Sequence, residues 1–195
     1  MKSNLKGVTS LAVLLLSAQV LLVLMSWLLS AMMTEGVRSL ISSEGVRWFL
    51  GGFVDIMLTP VLAWMLLLAM AYGCIRRAAR HPHLRPRRRL WAWLSVFAVV
   101  LTSVLLVGLL AATPHAILLS ATGQLFPSAF SRALVPLLAL TIILSAVAYG
   151  LSARSFHSLS DIVSSMIFGL EEVSPWLFLY LLSMQLYESV LYVFF

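Results

Sequence analysis

Two carboxylates stand inside long apolar stretches of this chain, where an ionised group is costly. Asp55 follows Phe49 by six residues, and Glu188 precedes the last residue by seven. Ionisable side chains within a membrane span face a partner, a cavity or an ion pathway. Two carboxylates at similar depth could share a proton or bind a cation. We therefore predict Asp55 and Glu188 as proton- or cation-binding residues.

Other interpretations of these polar positions stay open. Each carboxylate could instead pair with Arg47 or Arg132, or reach water at the membrane surface. Two glutamines, Gln19 and Gln185, also lie in apolar stretches. They are candidates for contact with an ion or a substrate, or for hydrogen bonds that hold helices together.

The composition decides which elements must position these groups. The chain of 195 residues is 62% hydrophobic and only 10% charged, with a mean hydropathy of +1.03. A soluble domain is about a quarter charged, so this is an integral membrane protein. At about 20 residues per crossing, we expect one transmembrane domain over residues 1–195. Its predicted class is all-α, a polytopic bundle of about five transmembrane helices with interfacial or re-entrant helices.

The apolar runs place the predicted spans. The second contains Asp55 and Pro60, and the fifth opens with Ser174 as N-cap and Pro175 in the first helical position. The first is too long for a signal-peptide core and is interpreted as an uncleaved span. The five spans are 8–33, 49–74, 90–112, 129–151 and 174–195.

Two further segments are apolar but are not predicted to cross. Residues 114–126 lie between two prolines and are the length of a re-entrant or interfacial element. Residues 159–172 alternate apolar and polar residues at helical spacing, which predicts an amphipathic helix packed against the bundle at the inner interface.

Basic residues predict the orientation. Seven of the 13 lie in residues 76–89, and ten of the 13 fall on one side of the predicted spans. The basic side faces the cytoplasm, so we expect a cytoplasmic N-terminus, an extracytoplasmic C-terminus and a bacterial inner membrane. The segment 76–89 contains two prolines and is predicted as a non-helical loop that sets orientation or binds anionic lipid headgroups. Its arginines are Arg76, Arg77, Arg80, Arg85, Arg87, Arg88 and Arg89.

A tetrapeptide, Glu-Gly-Val-Arg, occurs twice in the predicted extracytoplasmic loop. The copies run from Glu35 to Arg38 and from Glu44 to Arg47. Each follows a capping residue, Thr34 or Ser43, and each has its glutamate where a helix dipole favours an anion. We expect two short helices with glutamate–arginine pairs three residues apart. They serve as interfacial turns or as an extracytoplasmic binding or oligomer surface.

Several classes of function are not expected. The sequence has no protease, phosphate-loop or redox motif, and its single cysteine, Cys74, excludes an internal disulfide. No histidine has a partner at metal-ligand spacing. We therefore predict no enzyme, no metal, no cofactor and no nucleic-acid partner.

Two stretches resemble the p-aminobenzoyl-glutamate transporter (AbgT) family. The first, Ser43-Glu44-Gly45-Val46-Arg47-Trp48-Phe49, is similar to the loop before the family's second span. The second runs from Ala148-Tyr149-Gly150 through Ser160-Asp161-Ile162-Val163 and Met166 to Pro175-Trp176 and Gln185. The resemblance implies an AbgT-like scaffold that works as a dimer, with broken helices and hairpins at a substrate site. Hairpins rich in Ser, Gly, Asn and Asp are not visible in this sequence.

Two functions follow as hypotheses. The first is solute or ion transport coupled to protons or cations by an AbgT-like, oligomeric protein, a dimer as first expectation. The second is a non-transporting scaffold or subunit whose spans dock another membrane protein. In both, the lipid bilayer is the surrounding partner.

Overall fold

The computed structural model describes residues 2–32, 36–79, 86–112 and 129–195. Within these ranges the chain forms seven helices and no strand. They are α1 (Lys2–Ala31), α2 (Ser43–Gly51), α3 (Phe53–Met57), α4 (Pro60–Ala78), α5 (Pro86–Ala112), α6 (Ala129–Ser152) and α7 (Leu159–Phe194). Five of them, α1, α4, α5, α6 and α7, are long and apolar enough to cross a membrane. The predicted all-α, multi-span class is confirmed.

The second predicted span is wrong in its first half. Residues 49–74 form three helices rather than one, with interruptions at Gly52 and at Leu58–Thr59. Adjacent glycines weaken a helix, and Pro60 disfavours helical backbone in the residues before it. Pro60 therefore begins α4 instead of lying within a span, and Asp55 lies in the short helix α3 ahead of the crossing helix.

The predicted boundary before the fifth span is also wrong. A single helix of 36 residues, α7, contains both the predicted amphipathic helix and the predicted span, with Pro175 in its interior. A proline removes one hydrogen bond from a ladder, and membrane helices tolerate that loss because neighbouring groups compensate it. At 1.5 Å per residue α7 is about 54 Å long, more than the roughly 30 Å of a bilayer core.

The chain divides into two compact units. One contains Met1–Ala63 and Val173–Phe195, and the other contains Trp64–Glu172. The single-domain prediction stays a prediction, and each unit is described by itself.

Helix α1 contacts the rest of the first unit through a narrow row of buried and half-buried residues. Ala12 and Ser26 are buried and Gln19 is half-buried, whereas the opposite side of α1 exposes leucines and valines. The Ser26 hydroxyl accepts a hydrogen bond from the Leu40 N–H at 3.2 Å. The loop after α1 reaches α7, since the Arg38 N–H donates to the Val193 carbonyl at 3.1 Å.

Only the second copy of the doubled tetrapeptide is helical. It lies in α2, where the N-cap is Ser42, one residue before the predicted Ser43; the Ser42 hydroxyl accepts from the Gly45 N–H at 3.0 Å. In the first copy Gly36 has φ +84°, and Val37 and Arg38 have no regular structure. The prediction of a first short helix is therefore wrong for residues 36–38, because left-handed backbone interrupts a right-handed helix. Thr34 and Glu35 lie outside the described residues.

In the second unit, α4 and the first half of α7 cross through small residues. A Cβ added to Gly73 would overlap the Ser165 carbonyl and lie 2.8 Å from the Gly169 Cα, and one added to Gly169 would overlap the Ala69 carbonyl. These residues form two small-x-x-x-small pairs, Ala69 with Gly73 and Ser165 with Gly169. Such pairs bring helix backbones together in membranes. Cys74, fully buried, packs beside them with its sulfur 3.5 Å from the Ser165 hydroxyl.

The face by which residues 159–172 pack agrees only in part with the amphipathic prediction. Ile162 and Met166 of the predicted apolar face pack against the core. The closest contact, however, is made by the buried Ser165 and Gly169, and the apolar Leu159, Val163 and Ile167 are exposed. The prediction applied the rule for water, in which apolar residues turn inward. In a lipid surrounding no such force acts, and small residues take the helix–helix contact instead.

Two other predicted features lie partly or wholly beyond the described residues. The predicted re-entrant segment 114–126 falls within 113–128, which is outside them. The loop prediction for 76–89 is wrong at both ends, because Arg76 and Arg77 end α4 and Arg87 to Arg89 lie in the first turn of α5. Pro86 occupies the first position of α5, where its missing N–H costs nothing.

Candidate functional site

A cavity of about 600 Å³ lies within the second unit, among α4, α5 and α6. Its size falls within the range of about 300–1,000 Å³ that holds small organic ligands. Most of its wall is apolar, and the polar side chains on it are those of Arg89, Trp93, Thr141, Ser145 and Tyr149. The lining residues are Ile75, Ala78, Ala79, Arg89, Trp93, Val96, Val100, Thr141, Ile142, Ser145, Ala146 and Tyr149.

Helical spacing brings these side chains to one place. On α5 the lining residues recur every three or four positions, beginning with Arg89 and Trp93. On α6 Thr141, Ser145 and Tyr149 are four positions apart. Residues at these spacings lie on one face of a helix. The two helices are joined by the Ser95 hydroxyl, which accepts from the Ser152 hydroxyl at 3.1 Å. The α5–α6 pair therefore forms two walls of the cavity.

The cavity combines aromatic surface with one cation. The Trp93 and Tyr149 rings meet edge to face, with centroids 5.9 Å apart and planes at 71°. Arg89 forms no ion pair with any residue that the structure describes. The Ser145 hydroxyl oxygen is buried and has no hydrogen-bond partner among the described atoms. Such a wall suits a ligand with an apolar body, an anionic end and at least one polar group.

A second polar site lies in the first unit, between α1 and α7. The Gln19 side-chain amide donates to the Ser189 hydroxyl at 2.9 Å, and that hydroxyl donates to the Gln185 backbone carbonyl at 2.7 Å. The structure thus brings together Gln19 and Gln185, two of the predicted site residues. Both side-chain atoms of Gln185 and the Oε1 of Gln19 are buried without a partner among the described atoms. Each such group costs about 1–3 kcal/mol if it stays unsatisfied.

The two predicted carboxylates are placed differently from one another. Asp55 is exposed in the first turn of α3, whereas Glu188 is half-buried in α7, next to Ser189. Neither pairs with Arg47 within the described part of the chain, and the Arg132 side chain lies outside it. A shared site for the two carboxylates stays a prediction.

An aromatic cluster that the sequence did not predict joins α2, the end of α7 and the loop after α1. The Trp48 ring stacks on the Tyr192 ring at 4.4 Å, with planes 19° apart, and the Arg38 guanidinium lies 5.9 Å from the Tyr192 ring centroid. Glu44 and Arg47 are exposed in α2, and no ion pair joins them among the described residues. Arg38 thus binds an aromatic face where a pair with Glu35 was expected, and Glu35 is outside the described residues.

Two arginines of the basic segment form ion pairs with α7. The Arg76 guanidinium lies 3.0 Å from a Glu172 carboxylate oxygen, and that of Arg77 lies 3.1 Å from one of Asp161. The second Asp161 oxygen accepts from the Ser158 N–H at 3.2 Å, while the Ser158 hydroxyl accepts from the Asp161 N–H at 3.3 Å. This reciprocal pair is a capping box that begins α7.

The other arginines of the segment differ in surroundings. Arg87, Arg88 and Arg89 are exposed in the first turn of α5, and Arg80 and Arg85 lie outside the described residues. Lipid binding by the segment stays a prediction.

The cavity residues were missed by sequence reasoning. The predicted spans 90–112 and 129–151 contain Trp93, Thr141 and Ser145, and no separate signal in the sequence marks these residues. Tyr149 carried the one available signal, because it belongs to the Tyr-Gly pair on which the family resemblance depends. The described residues contain no group of three or more His, Cys, Asp or Glu side chains suited to a metal ion.

Comparison with known protein families gave a match. The family model described as the AbgT putative transporter family matches residues 83–190, more than half of the chain. The matched range contains all of α5 and α6 and most of α7, and so the α5 and α6 walls of the cavity. The second of the two resembling stretches lies within it, and the first, residues 43–49, lies outside it. Comparisons with curated proteins and with solved structures gave no match.

Proposed function

We propose that this chain, which belongs to the AbgT putative transporter family, carries an organic anion with an aromatic or otherwise apolar body across the membrane. The observation that supports this most is the cavity whose α5 and α6 walls lie in the family-matched region, with Arg89 beside the Trp93–Tyr149 pair. A guanidinium binds carboxylates by charge-assisted hydrogen bonds. The aromatic rings match an apolar body, and the Ser145 hydroxyl supplies a polar contact that the protein itself leaves unused.

Coupling to a proton or a small cation forms the second part of the proposal. Glu188 and Asp55 remain the residues proposed to carry it, as ionisable groups in or beside apolar helices. The half-buried position of Glu188, one residue from the Gln19–Ser189 hydrogen bond, favours Glu188 as the principal group.

The proposed setting is a bacterial inner membrane with a cytoplasmic N-terminus, an extracytoplasmic C-terminus and a dimeric assembly. Seven of the 13 basic residues lie in the segment 76–89. This supports the orientation, because loops rich in Lys and Arg stay on the cytoplasmic side. The dimer is proposed from the resemblance to the AbgT family.

Uptake by the purified protein in proteoliposomes tests the transport proposal. The probes are labelled p-aminobenzoyl-glutamate and benzoate, with neutral benzamide as the comparison solute, under an imposed proton or Na⁺ gradient. We expect gradient-driven uptake of the anions, and R89Q should reduce it by about tenfold or more because a charge-assisted contact is lost.

Arg88→Gln is the matched control, since Arg88 lies in the same helical turn and does not line the cavity. Equal loss in both variants would contradict a specific role for Arg89. Absence of uptake in the wild type, together with co-purification of a stoichiometric membrane protein, would favour the scaffold function instead.

A further inference from the structure

The two glutamines that meet between α1 and α7 leave hydrogen-bonding groups without partners in the interior of the first unit. Gln185 is 8% exposed and Ser189 is fully buried. The Gln19 Nε2 donates to Ser189, which leaves its Oε1 buried and unpaired, while the Gln185 amide is unpaired at both of its atoms. Buried polar groups in proteins are almost always paired with protein atoms, with ordered water or with a bound ion. Three such atoms in one small region therefore point to a bound species.

The free groups are mostly oxygens. Gln19 and Gln185 each offer an unpaired amide oxygen. The Ser189 hydroxyl already accepts from Gln19 and donates to the Gln185 carbonyl, and its oxygen keeps one lone pair in the same region. Hard cations bind oxygen ligands such as these, together with carboxylates.

Charge decides which cation fits. Residues 185, 188 and 189 share one face of α7 because they are three and four positions apart. Glu188 is half-buried there and forms no ion pair within the described part of the chain. A single carboxylate balances one positive charge, whereas sites for divalent cations combine several carboxylates.

We propose that Gln19, Gln185, Glu188 and Ser189 form a binding site for one small monovalent cation, with Na⁺ as the first candidate. The amide oxygens and the serine hydroxyl replace part of the ion's hydration shell, and the Glu188 carboxylate balances its charge. The Gln185 amide nitrogen lies three residues from Glu188, within side-chain reach along a helix, so it can donate to the carboxylate while its oxygen binds the ion. The inference deepens the cation coupling proposed above, but it concerns binding and is testable without transport.

Thermal unfolding of the purified protein in detergent tests the site. NaCl, KCl, LiCl and choline chloride are compared at equal ionic strength. A bound ion stabilises the folded state, so Tm should rise by about 5–10 °C at a hundredfold excess of Na⁺ over its Kd, relative to choline. K⁺ and Li⁺ measure selectivity. An equal Tm in all four salts would overturn the proposal. That result is expected if the unpaired groups bind only water, because water is present in every salt.

Gln185→Leu and Gln19→Leu supply the sharper comparison. Each variant replaces an amide by an apolar group of similar size. Without a bound ion, this removes buried amide atoms that have no hydrogen-bond partner, together with their energetic cost. In choline we expect Tm to be unchanged or higher than in the wild type, and in Na⁺ the salt-dependent rise should vanish. Retention of the full Na⁺-dependent rise in both variants would contradict the assignment.

Two checks separate this outcome from other causes. Ser183→Ala is the matched control on the same helix, because Ser183 is exposed and its hydroxyl donates to the Tyr180 carbonyl within α7; it should keep the Na⁺ response. If a leucine variant does not fold, saturable ²²Na⁺ binding to the wild type, displaced by NaCl and not by choline chloride, replaces it, and its absence would overturn the proposal. If the wild-type protein binds Na⁺ but takes up no solute, the transport proposal is overturned and the Na⁺ site remains.

Discussion

At the scale of single residues, the arginines of the basic segment have different surroundings. Arg76 and Arg77 are paired with Glu172 and Asp161 of α7. Arg89 has no such pair among the described residues and lines the cavity. The Arg76–Glu172 pair is exposed and the Arg77–Asp161 pair is half-buried near the surface. Ion pairs close to solvent contribute little to stability, so both serve mainly to position the first half of α7 against α4. The Arg89 guanidinium, unpaired in the described part of the chain and on the cavity wall, is the group we propose to bind the ligand.

The carboxylates give a prediction at the same scale. E188Q removes a half-buried charge from the face of α7 that carries Gln185 and Ser189, and D55N removes an exposed one from α3. We expect both changes to reduce gradient-driven uptake in proteoliposomes, E188Q by about tenfold or more and D55N less. Counterflow without a gradient should change less than driven uptake in either variant. Driven uptake equal to the wild type in both variants would remove these residues from the coupling.

At the scale of elements, the crossing of α4 and α7 depends on the absence of side chains at Gly73 and Gly169. Any Cβ there meets backbone atoms of the facing helix, which cannot rotate away. Close approach then aligns the Arg76 and Arg77 pairs at the cytoplasmic end predicted for α4.

Gly73→Ala and Gly169→Ala test that crossing. Each should lower the free energy of unfolding by about 1–3 kcal/mol, the usual cost of overpacking, because the helices must separate. Gly108→Ala in α5 is the control, since a Cβ at Gly108 meets nothing within 4 Å, and it should be neutral or stabilising by up to about 1 kcal/mol. Unfolding in detergent followed by circular dichroism measures all three. Similar stability of Gly73→Ala and Gly108→Ala would contradict a close crossing.

The elements also show what the sequence could and could not predict. Spans α1, α5 and α6 follow from unbroken apolar runs, because about 20 apolar residues suffice to define a crossing. The breaks around Asp55 have local signals in the sequence, Gly51-Gly52 and Pro60. The prediction of one continuous span followed the long apolar run instead of these signals. The continuity of α7 through Pro175 had no such signal, because a proline at a helix start and one inside a membrane helix look alike in sequence.

The candidate sites divide in the same way. Gln19, Gln185 and Glu188 could be predicted because a polar group in an apolar run is conspicuous. The partnership of Gln19 with Ser189, 170 residues apart, depends on packing that no local pattern encodes. Trp93, Thr141 and Ser145 were unpredictable as cavity residues, since their types are ordinary for a membrane span.

At the scale of the whole molecule, the orientation proposed from the basic residues predicts which segments water-soluble reagents can reach. In a Cys74→Ala background, we expect Glu44→Cys to react with an impermeant maleimide added to intact cells. Arg87→Cys should react only after the membrane is permeabilised. Both positions are exposed, so reactivity reports sidedness. Labelling of Arg87→Cys in intact cells would reverse the proposed topology.

The proposed function depends on the cavity among α4, α5 and α6 being the solute site, and equilibrium binding tests this most directly. Isothermal titration of p-aminobenzoyl-glutamate into the purified protein should give saturable binding. R89Q should weaken that binding by about tenfold or more, while R88Q should leave Kd within about twofold. Equal Kd values for the wild type and R89Q, or no binding to the folded wild type, would contradict the account.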